Sequence, residues 1–272
     1  MTIEDRRVTA LNTVFDRVPT AAVACSGGVD SMTLGFLAHR SMGKRVTIFH
    51  AQSAAVPPAA TARVREYAQR EGWHLRVVDA GEFSDEKYLA NPANRCFFCK
   101  TNLYGTLSSV AAGAQLFSGT NMDDLGDWRP GLKAAETYNV RHPFVEAGLT
   151  KADVRALAAV NGLSDIAELP SAPCLSSRVE TGIRIDPAAL QMIDRVETFV
   201  RDRLAPETVR CRVRYNGIVV ELDSKTLARL PDASRDELID AVRASGTLGS
   251  ETAVHFVAYA RGSAFLRATL DD

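Results

Sequence analysis

Nothing in this 272-residue chain approaches the roughly 20 consecutive apolar residues that a membrane-spanning helix needs, which excludes a helical membrane protein. The first residues, Met1-Thr2-Ile3-Glu4-Asp5-Arg6-Arg7, lack the basic-then-apolar order of a secretory signal, so a cytoplasmic location is expected. Charge of one sign is missing too. The net charge is −1, and no global basic field marks a nucleic-acid binder, although a local basic groove stays compatible with it. There is no internal repeat and no low-complexity segment. Cysteine is scarce, with five in the whole chain. In a cytosolic protein these are free thiols, catalytic groups or metal ligands sooner than a disulfide framework. What remains, 46% hydrophobic and 24% charged, suits a globular protein of one large or two modest domains.

The pattern that is present centres on Ser26-Gly27-Gly28-Val29-Asp30-Ser31. An apolar run at 21–25 precedes it and a helical pattern at 31–41 follows, so a strand, a glycine turn and a helix start fall within about a dozen residues. Adjacent glycines let the backbone turn and approach a ligand closely, and successive amides before a helix N-terminus form an anion site. No Gly-Lys-Ser/Thr follows, which excludes a Walker A loop. Asp30 and Ser31 are the expected N-caps. Helices are predicted over 4–18 and 59–71, the second ended by Gly72, and strands over 46–50, 75–78 and 114–117. Strands alternating with helices predict an α/β fold, a parallel sheet with helices on both faces, whose ligands bind beyond the carboxyl ends of the strands. The 26–31 loop, His50-Ala51-Gln52-Ser53 and Gly119-Thr120-Asn121 fall at such ends. Further on, Thr150 caps a helix at 150–160, and a helical pattern runs from Pro187 to Leu204. Two alternating strands flank an Asn216-Gly217 hairpin signal, followed by a helix near 234–244 and a strand near 252–259. This predicts residues 1–183 as the nucleotide-binding domain and 184–272 as a small C-terminal α+β domain for substrate or oligomerisation.

Four groups of residues carry chemistry. Cys96 and Cys99 form a Cys-x-x-Cys, open alone to half a zinc site, a redox pair or two thiols at a helix start. Cys174 lies in Pro173-Cys174-Leu175-Ser176-Ser177-Arg178, held rigid by prolines. Three thiolates can hold three corners of a cubane and leave one iron open for sulfide, whereas tetrahedral zinc wants a fourth ligand that no nearby pattern supplies. Cys25 and Cys211 read as structural. Arg210, Arg212 and Arg214 share one strand face, either a solvated edge face with acidic neighbours or a phosphate clamp. In Gly119-Thr120-Asn121-Met122-Asp123-Asp124-Leu125-Gly126-Asp127-Trp128-Arg129, the aspartates are Mg²⁺ ligands or loop caps, and Gly119, Thr120 and Arg129 are candidates to meet the nucleotide. His50 and His142 fall near the site without a specific role, and the remaining histidines read as surface or core.

The motifs SGGVDS (26–31), RCFFCK (95–100), GTNMDDLGDWRPGLKAAE (119–136), VRHPF (140–144), LTKADVRALA (149–158), PCLSSR (173–178) and CRVRYNG (211–217) occur in an order that resembles the LarE family of ATP-dependent sulfur transferases, within the PP-loop ATP pyrophosphatases. The likeness covers nearly the whole chain and is weakest after about residue 220, where Ala258–Ser263 only loosely follows the family's ending. It implies ATP, Mg²⁺ and adenylation of a carboxylate of pyridinium-3,5-biscarboxylic acid mononucleotide, after which sulfur displaces AMP. With three cysteines in place, it implies the branch in which Cys96, Cys99 and Cys174 bind a 4Fe–4S cluster carrying sulfide. Ser26, Gly27, Gly28, Asp30 and Ser31 match the pyrophosphate loop, and Arg212 and Arg214 the arginines that hold the substrate phosphate. Asp30 and Cys174 are the catalytic candidates. The partners expected are this small molecule and a sulfur donor, with no nucleic acid or membrane, in a homo-oligomer (a trimer or hexamer). The competing readings are a PP-loop tRNA thiolase with a three-cysteine Fe–S site and a non-catalytic zinc- or nucleotide-binding regulator.

Overall fold

The computed structural model describes residues 3–126, 130–171, 173–244 and 252–260. In chain order these form α1 (Ile3–Phe15), β1 (Ala21–Ala24), α2 (Val29–Met42), β2 (Val46–Ala51), α3 (Pro58–Glu71), β3 (Leu75–Val78), α4 (Glu86–Leu89), α5 (Arg95–Val110), β4 (Gln115–Phe117), α6 (Pro130–Thr137), α7 (Pro143–Glu146), α8 (Lys151–Val160), α9 (Ser164–Ala167), α10 (Pro187–Leu204), β5 (Val209–Arg214), β6 (Gly217–Leu222), α11 (Ser224–Ala228), α12 (Asp232–Ala244) and β7 (Val254–Ala258). They divide into two compact units. The first comprises residues 1–85 and 95–172, the second 86–94 and 173–272.

The first unit is built on a four-stranded parallel sheet, order β3-β2-β1-β4, with Ala21 facing Val46 on one side and Gln115 on the other. Alternate residues of each strand leave by opposite faces. Ala21, Val23 and Ile48 pack with Phe15, Leu34 and Leu157, while Ala22, Phe49 and Leu116 pack with Tyr104, Leu107 and Ala134. The sheet is therefore covered on both faces, as the alternation of strands and helices predicts. The chain builds outward from β1 to β2 and β3, then returns to place β4 on the other side of β1. That reversal is a topological switch point, and α/β sheets bind their ligands beyond the carboxyl ends of the strands at such a point, here β1 and β4.

The second unit carries a three-stranded sheet, order β5-β6-β7. The β5–β6 pair is antiparallel, with Arg214 opposite Gly217, and β6–β7 is parallel, so the small sheet is mixed. The hairpin turn is made by Tyr215 and Asn216, one residue earlier than the Asn-Gly signal predicts, because Gly217 already pairs as the first residue of β6. The long helix α10 begins at the N-cap Asp186, whose carboxylate accepts from the amides of Ala188 and Ala189. It buries Leu190, Ile193, Val196 and Val200, at the spacing of one helical face. Among the described residues no helix is long and apolar enough to cross a membrane.

Candidate functional site

The turn after β1 starts the helix earlier than its polar residues suggest. Gly28 is the N-cap of α2 and Val29 its first residue, which places Asp30 and Ser31 inside the first turn instead of at the cap. The Ser31 hydroxyl turns back into the loop. It accepts from the Ser26 amide at 3.0 Å, meets the Ser26 hydroxyl at 3.1 Å and donates to the Gly28 carbonyl at 3.2 Å. Gly28 has no side chain with which to cap the amides that open the helix, and those amides carry its positive end. Around this loop the lack of a side chain matters at Gly27 and at Gly119. Gly27 has φ +83°, and a Cβ there would lie 2.7 Å from the Ala60 carbonyl oxygen. A Cβ on Gly119, at the end of β4, would lie 2.9 Å from the Asp30 carbonyl carbon and from the Ser31 amide nitrogen. The 118–121 turn thus closes onto the first turn of α2 because it carries no side chain there.

Polar contacts from four elements hold the loop. Arg63 on α3 donates to the Gly27 carbonyl at 2.8 Å. Fully buried His50, on β2, meets the Cys25 carbonyl through Nδ1 at 2.8 Å and the Thr61 hydroxyl through Nε2 at 2.9 Å. The Nδ1 proton therefore donates to the carbonyl and Nε2 accepts. Burial holds this imidazole below its usual pKa and so neutral. Asp30 accepts from the Asn121 side-chain Nδ2 at 3.2 Å and forms an ion pair with Lys151. Lys151 is the first residue of α8, whose N-terminus is a capping box between Thr150 and Asp153, as Thr150 predicts. The Lys151 amide donates to Asp123 at 3.0 Å, and the Asn121 amide to Asp124 at 3.1 Å. Asp123 and Asp124 thus serve as loop caps, one of the two roles open to them. Ser118 joins Thr120 at 3.1 Å and His142 at 2.7 Å, and burial lowers the pKa of His142 as well.

The first unit therefore gathers Ser26, Gly27, Gly28, Asp30, Ser31, Gly119 and Thr120 at the carboxyl ends of β1 and β4. Asn121 joins them from the strand end where the sequence places it, and Lys151 and Arg63 join them with no sequence signal of their own. Arg129 lies outside the described residues. Cys96 and Cys99 stand three residues apart in the first turn of α5, a helix start that is one of the three readings of this motif. They belong to the first unit and Cys174 to the second. All five cysteines are thiols. Cys25 is buried and its pKa is pushed up to about 11 by desolvation, and fully buried Cys211 is raised by the same cause, which keeps both protonated. Among the described residues no group of three or more His, Cys, Asp or Glu side chains is gathered to hold a metal ion.

In the second unit the arginine face of β5 meets carboxylates. Arg212 Nε lies 2.7 Å from Glu221, Arg214 lies 3.5 Å from Glu221 and 3.9 Å from Glu180, and Arg212 is only 5% exposed. The acidic neighbours are those that one reading of this face expects, but the face is not fully solvated: Arg212 is buried, and Arg210 and Arg214 are half-buried.

A glycine turn, a helix N-terminus and an acid–lysine pair stand together at the switch point of the parallel sheet of this α/β protein, an arrangement chemically able to receive an anion. The chain belongs to the family of the uncharacterized protein slr1717 of Synechocystis, with which it shares 34% identity over 242 residues, 88% of this chain and 90% of that one. It is 27% identical over 204 residues to the uncharacterized protein MJ0830 of Methanocaldococcus jannaschii, 74% of this chain and 77% of that one. A more distant homologue with a named activity is the pyridinium-3,5-bisthiocarboxylic acid mononucleotide synthase of Lactiplantibacillus plantarum, 28% identical over 225 residues, 81% of this chain and 80% of that one. No family model matches the chain.

Proposed function

We propose that this protein is an ATP-dependent sulfur transferase of the LarE type, acting on pyridinium-3,5-biscarboxylic acid mononucleotide. The observation that carries the reading is its likeness, over four fifths of both chains, to a protein named as the synthase of the bisthiocarboxylic product. A carboxylate is a poor electrophile. Its oxygen attacks the α-phosphorus of ATP, the α–β phosphoanhydride breaks and pyrophosphate leaves. A sulfur nucleophile then attacks the acyl carbon and AMP departs with the electron pair of the C–O bond, leaving a thiocarboxylate. The same sequence repeats at the second carboxylate.

The roles of the chain's own groups follow from their chemistry. The amides of residues 27–31 receive the pyrophosphate half of ATP, with the Ser26 and Ser31 hydroxyls beside them. Mg²⁺ would offset the phosphate charge, and Asp30 is the carboxylate that the loop itself supplies. Gly119 and Thr120 border the nucleotide, with Arg129 further along the same segment. Arg212 and Arg214 are assigned to the substrate phosphate, for which they must exchange contacts with Glu221. The donor set suits a 4Fe–4S cluster: three thiols, none in a disulfide, two of them at i and i+3 on one helix. Cys96, Cys99 and Cys174 would hold it, and it would supply the sulfide.

The test is anaerobic reconstitution of the full chain with iron and sulfide, then incubation with ATP, Mg²⁺ and the dicarboxylate nucleotide. The expected outcome is pyrophosphate release with mass-spectrometric detection of the mono- and bisthiocarboxylate. Bound zinc with no pyrophosphate release would support a regulator, and thiolated tRNA nucleosides with no thiocarboxylate would support a tRNA thiolase.

A further inference from the structure

The PCLSSR segment contains an arginine that the scheme above does not use. Arg178 is 3% exposed and lies against Glu197, which is fully buried. Its Nε and Nη2 donate to the two carboxylate oxygens of Glu197 at 2.9 and 3.1 Å, the bidentate fork that suits this pair. Glu197 is fixed in turn by the Cys211 amide at 3.1 Å and by Arg201 at 3.0 Å. The remaining arm of the guanidinium, Nη1, turns back on the chain. It donates to the carbonyls of Pro173 at 2.6 Å and Cys174 at 3.2 Å and meets the Ser177 hydroxyl at 3.0 Å.

The Cys174 carbonyl accepts twice more, from the Ser177 amide at 3.0 Å and the Ser177 hydroxyl at 2.8 Å. Further along the turn, Ser176 meets the phenol of Tyr88 at 2.7 Å, and the Ser177 carbonyl accepts from Arg212 at 3.2 Å. Cys174 itself is exposed, with extended backbone angles φ −54° and ψ 153°. An exposed side chain on a surface turn is ordinarily carried by mobile backbone. Here the carbonyls on both sides of the Cys174 nitrogen and Cα are pinned to a buried ion pair, so the torsion about the Cα–Cβ bond is the main freedom left to the thiol.

We propose that Arg178, locked in place by Glu197, is a positioning residue for Cys174. It fixes the 173–174 backbone so that an exposed thiol is presented from a rigid base, and it contacts neither ATP nor the sulfur acceptor. The importance of that thiol rests on the function proposed above, but the positioning itself does not. Preorganisation of this kind acts on the step that uses the thiol and leaves the rest untouched.

The experiment compares full-length wild type with Arg178→Lys and with the double variant Arg178→Leu/Glu197→Gln. The double variant removes the ion pair without stranding a charge, and the side-chain amide oxygen introduced at position 197 still accepts from the Cys211 amide. Amide hydrogen exchange is read at Ser177 and Val179 and, as a reference, along β5 and β6. The double variant should exchange about tenfold faster at Ser177 and Val179, with unchanged protection on the two strands. In reconstituted protein, thiocarboxylate formation should fall about tenfold while pyrophosphate release stays within about twofold of wild type, and Arg178→Lys should lie between. Unchanged exchange at Ser177 overturns the proposal. So does loss of protection over β5 and β6 together, or a parallel fall of both half-reactions, since either makes the pair a general structural support. A wild-type protein that releases no pyrophosphate sinks the sulfur-transferase reading alone, and the exchange comparison still decides the positioning claim.

Discussion

Two ion pairs, one in each unit, meet opposite demands. Asp30 and Lys151 keep 26% and 33% of their side chains exposed, whereas Arg178 and Glu197 keep 3% and 0%. The exposed pair contributes little to stability, because water and salt screen it. On the function proposed above, its charges can be exchanged, the lysine for an incoming phosphate and the carboxylate for the cation that accompanies it. The buried pair has given up its hydration, and neither charge can be removed without stranding the other. It cannot be rearranged by a ligand at low cost, which suits a group that holds backbone in place. The first unit thus offers charge at a surface it can renegotiate, and the second uses charge to fix a turn.

This contrast fixes the order of the expected effects. Glu197→Ala leaves Arg178 buried beside a cavity and should cost about 3–5 kcal/mol in urea unfolding; a cost below about 1 kcal/mol would erase the distinction between the two pairs. Gly119→Ala forces a methyl group against the backbone of α2 and should cost about 1–3 kcal/mol while weakening ATP binding measured by calorimetry. Thr150→Ala removes the cap that sets the start of α8 and hence the place of Lys151, and should cost about 1 kcal/mol.

A pH series sharpens the same comparison. The pKa of His50 is lower in the folded chain than its ordinary value of 6.5, so the unfolded state binds more protons as pH falls. The contribution of His50 to stability is then present above about pH 6.5 and is lost on acidification below it. His50→Gln should flatten that limb of the unfolding profile. The smallest effect belongs to Lys151→Met, which should change stability by less than about 1 kcal/mol while lowering the rate of pyrophosphate release. Such a split is the mark of a charge kept for a ligand.

Much of the architecture is legible in the sequence, and the exceptions have physical reasons. The parallel sheet, the helix cap at Thr150 and the glycine turn follow from periodicity and turn chemistry, which are local. The N-cap was misassigned to Asp30 and Ser31 because cap preference ranks residue types and cannot see that the Ser31 hydroxyl folds back to the Ser26 amide. Helix α5 was seen only as a possible helix start at its cysteines, since nothing in RCFFCK states a helical period by itself. Lys151 is not legible in the sequence because it lies 121 positions from its partner Asp30, and one lysine in a polar string carries no signal of its own. Glu221 was the clearer clue. An acid inside Ile218-Val219-Val220-Glu221-Leu222 asks for a cation, and the arginine face of β5 supplies it.

The measurement that bears most directly on the central claim is a single-turnover assay of the reconstituted full chain with ATP, Mg²⁺ and pyridinium-3,5-biscarboxylic acid mononucleotide, following pyrophosphate and the mass of the nucleotide together. The account predicts one pyrophosphate released for each oxygen replaced by sulfur, with sulfur incorporation lost in Cys174→Ala while pyrophosphate release persists. Sulfur transfer that survives in Cys174→Ala, or a nucleotide whose mass never changes, would contradict it.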